Sequence, residues 1–144
     1  MQEQEKKIGL GTNILVIKDG KVLLGLRKNV VGNGTWGFPG GKLNFGELYT
    51  DAVKRELLEE TNLFVDELEF IGVNNQSRGA ENQHWVQVNF CAKKWHGEVK
   101  LMEPEKCSSW EWFDIDKLPE PIFKGHKNFV KDYLDKSFFR DESQ

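Results

Sequence analysis

The chain has 144 residues, of which 30% are charged, and a formal net charge of −3. That length suits one domain of ordinary size with a real core. The near-balanced charge excludes a general surface for nucleic-acid polymers, which would be clearly basic. No apolar run reaches membrane-spanning length, and residues 1–7 lack the basic-then-apolar order of a secretory leader. Cys91 and Cys107 form neither a disulfide framework nor a zinc pattern. The expectation is a single domain over 1–144, free of the membrane, in the reducing cytoplasm.

Residues 10–18 read as a strand, Asp19-Gly20 as a turn, and Lys21 to Arg27 as the returning strand of a hairpin. Residues 28–46 carry six glycines and Pro39 and read as a long loop. A loop of that length in a compact domain usually has a function. A helix follows, with Thr50 as its expected cap, Asp51 near its positive end, and Ala52, Val53 and Leu57 facing the sheet. Strands are predicted over 67–74 and 84–95. In the second, alternation makes Trp85, Val86, Val88, Phe90 and Ala92 available for a core. A shorter strand near 108–113 and a helix around 124–136, after Pro119 and Pro121, complete the order. Strands, helix, strands, helix is the pattern of an α/β or α+β domain with a mixed sheet covered on both sides.

The most informative stretch is 41–63. Glu56, Glu59 and Glu60 stand at i, i+3 and i+4, so a helix turns all three carboxylates to one face. Crowded carboxylates repel unless something positive lies among them. A hard divalent cation with oxygen ligands is the natural partner, and Mg²⁺ in turn suggests a phosphate-bearing substrate. An acidic helix alone is more often a solvated face. The preceding Gly41 and Glu47, together with Arg55, shift the balance to a metal site. Arg55 also stands at i,i+4 to Glu59 as an ion-pair partner.

This stretch resembles the Nudix box, Gly-x5-Glu-x7-Arg-Glu-U-x-Glu-Glu-x-Gly-U with U a bulky apolar residue. Gly41, Glu47, Arg55, Glu56, Leu57, Glu59, Glu60 and Leu63 match, eight of nine specified positions. Asn62 replaces the glycine that ends the helix, and Asn is the next-best residue for a left-handed end. The resemblance implies the Nudix α/β/α sandwich with a mixed central sheet. It implies metal held by Glu56, Glu59 and Glu60, with a main-chain carbonyl, taken as that of Gly41, approaching the cation. Arg55 would orient a neighbouring carboxylate. Glu47 is open to reading as a ligand, a supporting carboxylate or a surface residue, with the supporting role preferred. Glu59 is the first choice for the base that takes a proton from water.

Two other glycine patterns carry no function. Gly32-x-Gly34-x-x-Gly37 has the dinucleotide spacing, but Phe38-Pro39 opposes the helix it requires. Gly41-Lys42 lacks the Ser or Thr that completes a P-loop. The histidines at 84, 96 and 126 have no metal-ligand spacing.

Three further pieces extend the resemblance to most of the chain. They are Thr35 to Glu47, Glu103-Pro-Glu105-Lys-Cys-Ser-Ser-Trp110-Glu-Trp112, and Pro121-Ile-Phe123-Lys-Gly125. Together they are similar to MutT-like nucleoside triphosphate diphosphatases of the nucleotide-pool-cleaning type. Many Nudix enzymes place an additional glutamate before such a tryptophan strand, for metal binding or proton abstraction; Glu105 is the first choice and Glu103 the second. Arg27 and Lys28 stand where they could meet phosphate oxygens or water. Trp36, Phe45 and Phe123 are stacking or core residues. Arg27, Phe123 and Gly125 are taken as substrate contacts. Lys124 departs from the tryptophan often found there, which leaves base choice open.

The implied reaction is Mg²⁺-dependent hydrolysis, Mn²⁺ able to substitute, of a nucleoside diphosphate linked to another group. A (deoxy)nucleoside 5′-triphosphate giving monophosphate and pyrophosphate is the first expectation. The alternatives are another diphosphate (nucleotide sugar, dinucleotide, coenzyme or isoprenoid) and a non-enzymatic nucleotide sensor. A homodimer is compatible with the chain, which does not dictate an oligomeric state.

Overall fold

A computed structural model describes residues 6–142. Strand β1 (Ile8–Lys18) turns through Asp19-Gly20 into β2 (Lys21–Arg27). Asp19 and Gly20 both have positive φ, 51° and 76°, as the tight hairpin expected from Asp-Gly demands. The glycine-rich loop is not wholly irregular. It contains two short strands, β3 (Trp36–Gly37) and β4 (Gly40–Lys42). Helix α1 (Tyr49–Thr61) is followed by β5 (Phe64–Gln76), β6 (His84–His96), β7 (Cys107–Asp114), α2 (Phe129–Asp135) and β8 (Phe139–Glu142). The expected last helix is thus shorter, with a separate 3₁₀ turn at Lys124–His126.

The strands form one mixed sheet in the order β3-β2-β1-β6-β5-β8, with β4 paired to β1 and β7 to β2. β1 runs parallel to β6 and antiparallel to β2 and β4. Alternation along β1 divides the core. Ile14 and Val16 join Leu23, Phe90 and Ala92 beneath Val53 and Leu57 of α1. Leu15 faces the other way, with Val22, Leu24, Phe38 and Cys91, towards Phe129 and Val130 of α2. Helices therefore cover both faces, as expected for the α+β sandwich. Of the β6 positions proposed for the core, Phe90 and Ala92 are buried, while Trp85, Val86 and Val88 are only partly covered. Both cysteines are buried and unpaired. Among the described residues no helix is long and apolar enough to cross a membrane.

Helix α1 positions the site. Leu48, not Thr50, is the N-cap; its carbonyl accepts from the Ala52 N–H at 2.9 Å. Thr50 lies inside the first turn, because the turn at 44–47 brings the chain into helical geometry earlier than its side chain suggests. Asp51 does lie in the first turn, near the positive end. At the other end Asn62 is left-handed, φ 68°, and donates its N–H to the Leu58 carbonyl at 3.0 Å. Its side chain adds a bond to the Glu98 carbonyl at 3.1 Å. Asn62 therefore ends the helix as the family's glycine would.

Candidate active site

The acidic side of α1 faces strand β4. Arg55 is the hub of that side. Its Nε and Nη2 donate to the two Glu47 oxygens at 2.7 and 3.0 Å. Nη1 donates to Glu56 Oε1 at 2.8 Å and Glu59 Oε2 at 3.2 Å, and Nη2 reaches the Lys42 carbonyl at 3.2 Å. The i,i+4 pair with Glu59 is thus present, and Glu47 supports the arginine. Hydrogen bonds from Arg55 hold the Glu47 carboxyl below the usual carboxylate range.

Glu60 points into a cleft of about 220 Å³ between α1, β4 and the segment before β7. Its Oε1 accepts the Gly40 N–H at 3.0 Å, and Trp110 Nε1 fixes its backbone carbonyl at 3.1 Å. Burial, with Glu56 and Glu103 adding repulsion, raises its carboxyl well above the ordinary value. Burial likewise pushes Glu56 up, against the pull of Arg55.

The β1–β4 register decides which glycine carbonyl faces these groups. Thr12 is opposite Gly41, and bonds two residues to either side join Leu43 to Leu10 and Ile14 to Pro39. Antiparallel alternation then turns the Gly41 carbonyl to β1 and the Gly40 carbonyl towards the cleft, on the side where the Gly40 N–H meets Glu60. By this register the Gly40 carbonyl, and not that of Gly41, has the direction expected of a carbonyl that approaches a cation in the cleft. Gly41 matters through its missing side chain: a Cβ there would lie 2.5 Å from Glu56 Oε2 and 2.6 Å from Oε1.

The preference for Glu105 over Glu103 is also reversed. Lys106 and Cys107 donate their N–H groups to the Glu103 carbonyl at 3.0 and 3.1 Å. That turn leaves Glu103 half-buried and lining the cleft, where it acts on both Glu56 and Glu60. Glu105 is exposed on the outside of the turn, its carbonyl bonded by Asn29 Nδ2 at 3.3 Å.

Arg27 lines both this cleft and a second cavity of about 240 Å³ beyond Gly40 and Gly41. A register shift between β2 and β7 after Gly25 directs it there. Its Nε donates to the Val31 carbonyl at 2.8 Å, and its guanidinium lies 4.0 Å over the Phe123 ring. Phe123 lines the second cavity, as do His126, Gln76 and Asn13. Gly125 is buried behind them, its carbonyl accepting from Gln76 Nε2. Lys28 and Phe45 are exposed, and Trp36 packs edge-on against Phe113 at 4.9 Å. His126 and Gln76 carry no motif of their own, and Gly40 lies in the stretch from Thr35 to Glu47 with nothing to set it apart from Gly41. Only the topology, which brings the ends of β4, β5 and the turn at 124–126 together, reveals them.

Among the described residues no three His, Cys, Asp or Glu side chains already converge as metal ligands; Arg55 holds Glu56 and Glu59. The donor set still suits a hard divalent cation. Glu56, Glu60 and Glu103 are oxygen donors that repel one another at the cleft, a cost that a divalent charge would relieve.

A family model described as the NUDIX domain matches residues 7–133. The chain belongs to the Nudix family. An oxidized purine nucleoside triphosphate hydrolase of Danio rerio is 39% identical over 109 residues, 75% of this chain and 67% of that protein. An ADP-ribose pyrophosphatase of Methanocaldococcus jannaschii is 33% identical over 120 residues, 83% of this chain and 69% of the relative. The crystal structure of a MutT Nudix hydrolase from Burkholderia pseudomallei superposes with a TM-score of 0.80 at 29% identity, covering 92% of this chain and 99% of that one. The protein is thus a MutT-like Nudix hydrolase with pyrophosphatase chemistry on nucleotide substrates. Nudix hydrolases generally use divalent metal ions.

Proposed function

We propose that this Nudix hydrolase cleaves (deoxy)nucleoside 5′-triphosphates to monophosphate and pyrophosphate, with Mg²⁺ as its ion and Mn²⁺ able to substitute. The observation that carries the reading is the adjacency of two compartments. The first is lined by Glu60 and Glu103, with Glu56 close enough to act on both; the second is lined by aromatic and amide side chains; Gly40 and Gly41 form their shared border. A triphosphate laid across that border has its charged end among oxygen donors and its nucleoside end against apolar and polar walls. The relative in Danio rerio, named for nucleoside triphosphates, supports this choice.

Glu56 and Glu60, joined by Glu59, Glu103 and the Gly40 carbonyl, would hold the cation. Bound there, it would neutralise phosphate charge and lower the pKa of water. Arg55 orients Glu56 and Glu59 through its own bonds. Arg27, at the junction of the compartments, is placed to meet a phosphate oxygen. Glu59, half exposed at 50% of its side chain, is the proposed acceptor of the proton released as water attacks phosphorus. Glu59→Gln then lowers turnover by ~10² or more with the fold intact; a near-wild-type rate removes it from that role.

Chromatographic identification of the products from nucleoside triphosphates, ADP-ribose, dinucleotides and nucleotide sugars, with and without Mg²⁺, tests the whole reading. Mg²⁺-dependent pyrophosphate from triphosphates is the expected result. Cleavage confined to ADP-ribose or another diphosphate overturns the substrate, and metal-independent cleavage overturns the site.

A further inference from the structure

The second cavity holds two polar atoms whose identities are fixed by backbone partners. His126 is only 5% exposed, and its Nδ1 lies 3.0 Å from the Phe38 N–H. That N–H can only donate, so Nδ1 accepts, and the neutral ring carries its proton on Nε2. Gln76, 4% exposed, donates Nε2 to the Gly125 carbonyl. The amide cannot be reversed without setting oxygen against oxygen, so Oε1 is the free end.

Neither His126 Nε2 nor Gln76 Oε1 has a protein hydrogen-bond partner among the described residues. The one sealed side-chain N or O atom without a partner among them is Asn74 Oδ1. The other two are therefore open to the cavity that both residues line. Gln76 Oε1 lies against the turn that carries His126, 2.7 Å from where a Cβ on Gly125 would stand. The cavity wall thus presents a donor on the turn at 124–126 and an acceptor packed against that same turn.

Building on the nucleoside triphosphate reading, we propose that His126 and Gln76 select bases with a carbonyl beside a ring N–H. His126 Nε2–H donates to the carbonyl, and Gln76 Oε1 accepts from the N–H. Hypoxanthine, guanine, uracil and thymine present that edge. Adenine and cytosine reverse it, setting an amino group against a donor and a bare ring nitrogen against an acceptor. A site with buried groups committed to one pattern rejects the opposite pattern strongly, because those groups are left unpaired. Burial and the nearby Arg27 cation push the His126 pKa down to about 3, which keeps the ring neutral and its donor in place throughout the physiological range.

The test is titration calorimetry with α,β-methylene analogues of inosine, adenosine, uridine and cytidine triphosphates in the presence of Mg²⁺. Inosine over adenosine and uridine over cytidine, each by about tenfold or more, is the expected result. His126→Phe keeps a ring in the wall and removes the donor, so the inosine-to-adenosine ratio should fall towards one. Should that variant not fold, the wild-type ratios decide alone. Equal binding within each pair, or preference for the amino members, overturns the inference while leaving the nucleotide reading intact. Failure of all four analogues to bind overturns both.

Discussion

Arg55 grips Glu47 with two hydrogen bonds eight residues back in the chain, Nε to Oε2 at 2.7 Å and Nη2 to Oε1 at 3.0 Å. The fork that fixes Glu47 leaves Nη1 aimed at Glu56 and Glu59. One guanidinium thereby holds the carboxylate next to it in the chain and the one a turn later on α1. Lysine carries the charge but has no planar fork. Arg55→Lys is expected to weaken Mn²⁺ binding by ~10- to 100-fold, the range seen when a group supporting a ligand is removed, with little change in the thermal unfolding midpoint. Paramagnetic titration of Mn²⁺ measures this, and unchanged affinity would deny Arg55 its orienting role.

Gly41 leads to a separate expectation. Its φ is not in the left-handed region, so alanine meets no backbone strain there. The obstacle is Glu56, whose oxygens lie 2.5 and 2.6 Å from the added Cβ. Gly41→Ala should displace the Glu56 side chain, lowering turnover more than stability. Parallel measurement of rate and melting temperature separates the two. A variant as active as the wild type would mean that the position of Glu56 is unimportant.

The carboxylate opposite α1 is identified by replacing two glutamates, one at a time, with glutamine. Glu103 lines the cleft and Glu105 does not. Glu103→Gln is expected to lower turnover by about tenfold or more, as for a group engaged in metal or proton handling, whereas Glu105→Gln stays near wild type. The reverse pattern would restore the choice made from sequence.

Why the fold brings Glu103 and not Glu105 to the cleft shows what a linear chain conceals. The Nudix box was legible because a helix converts spacing directly into a face; that 56, 59 and 60 share a side of α1 does not by itself bring their carboxylates together, and among the described residues they do not converge. The longer strands were legible from their apolar runs and Asp19-Gly20 from its turn chemistry, whereas the short β3, β4 and β8 carry no such run and were not. Glu103 and Glu105 are separated by one residue in a turn, where no period applies, and the bonds to the Glu103 carbonyl settle which one faces in. Gly40 and Gly41 differ by the direction of one peptide, fixed by the register with β1. His126 and Gln76 come from segments 50 positions apart, and nothing short of the assembled fold pairs them.

Glu60 predicts a proton signature of metal binding. Burial raises its pKa, so the metal-free carboxyl holds its proton to a higher pH than an exposed glutamate. A cation that binds its oxygens must displace that proton, and affinity should rise with pH until the raised pKa is passed, then level off. Mn²⁺ calorimetry over a range of pH, at each value in two buffers of different ionisation enthalpy, should show proton release towards the acid end that Glu60→Gln diminishes. Identical heats in both buffers would remove Glu60 from the ligand set.

His126 makes stability depend on pH in the acid direction. Its folded pKa, about 3, is below the ordinary 6.5. The unfolded chain takes up the proton first, so the contribution is complete above 6.5 and is lost as pH falls towards 3. Between pH 7.5 and pH 5 this single group accounts for about 2 kcal/mol of lost stability. His126→Gln, which cannot titrate, is expected to be less stable at neutral pH yet to lose less on acidification. Guanidinium unfolding of both proteins at the two pH values gives the comparison. Equal losses would show that the buried ring takes up its proton in the folded protein as readily as in the unfolded chain.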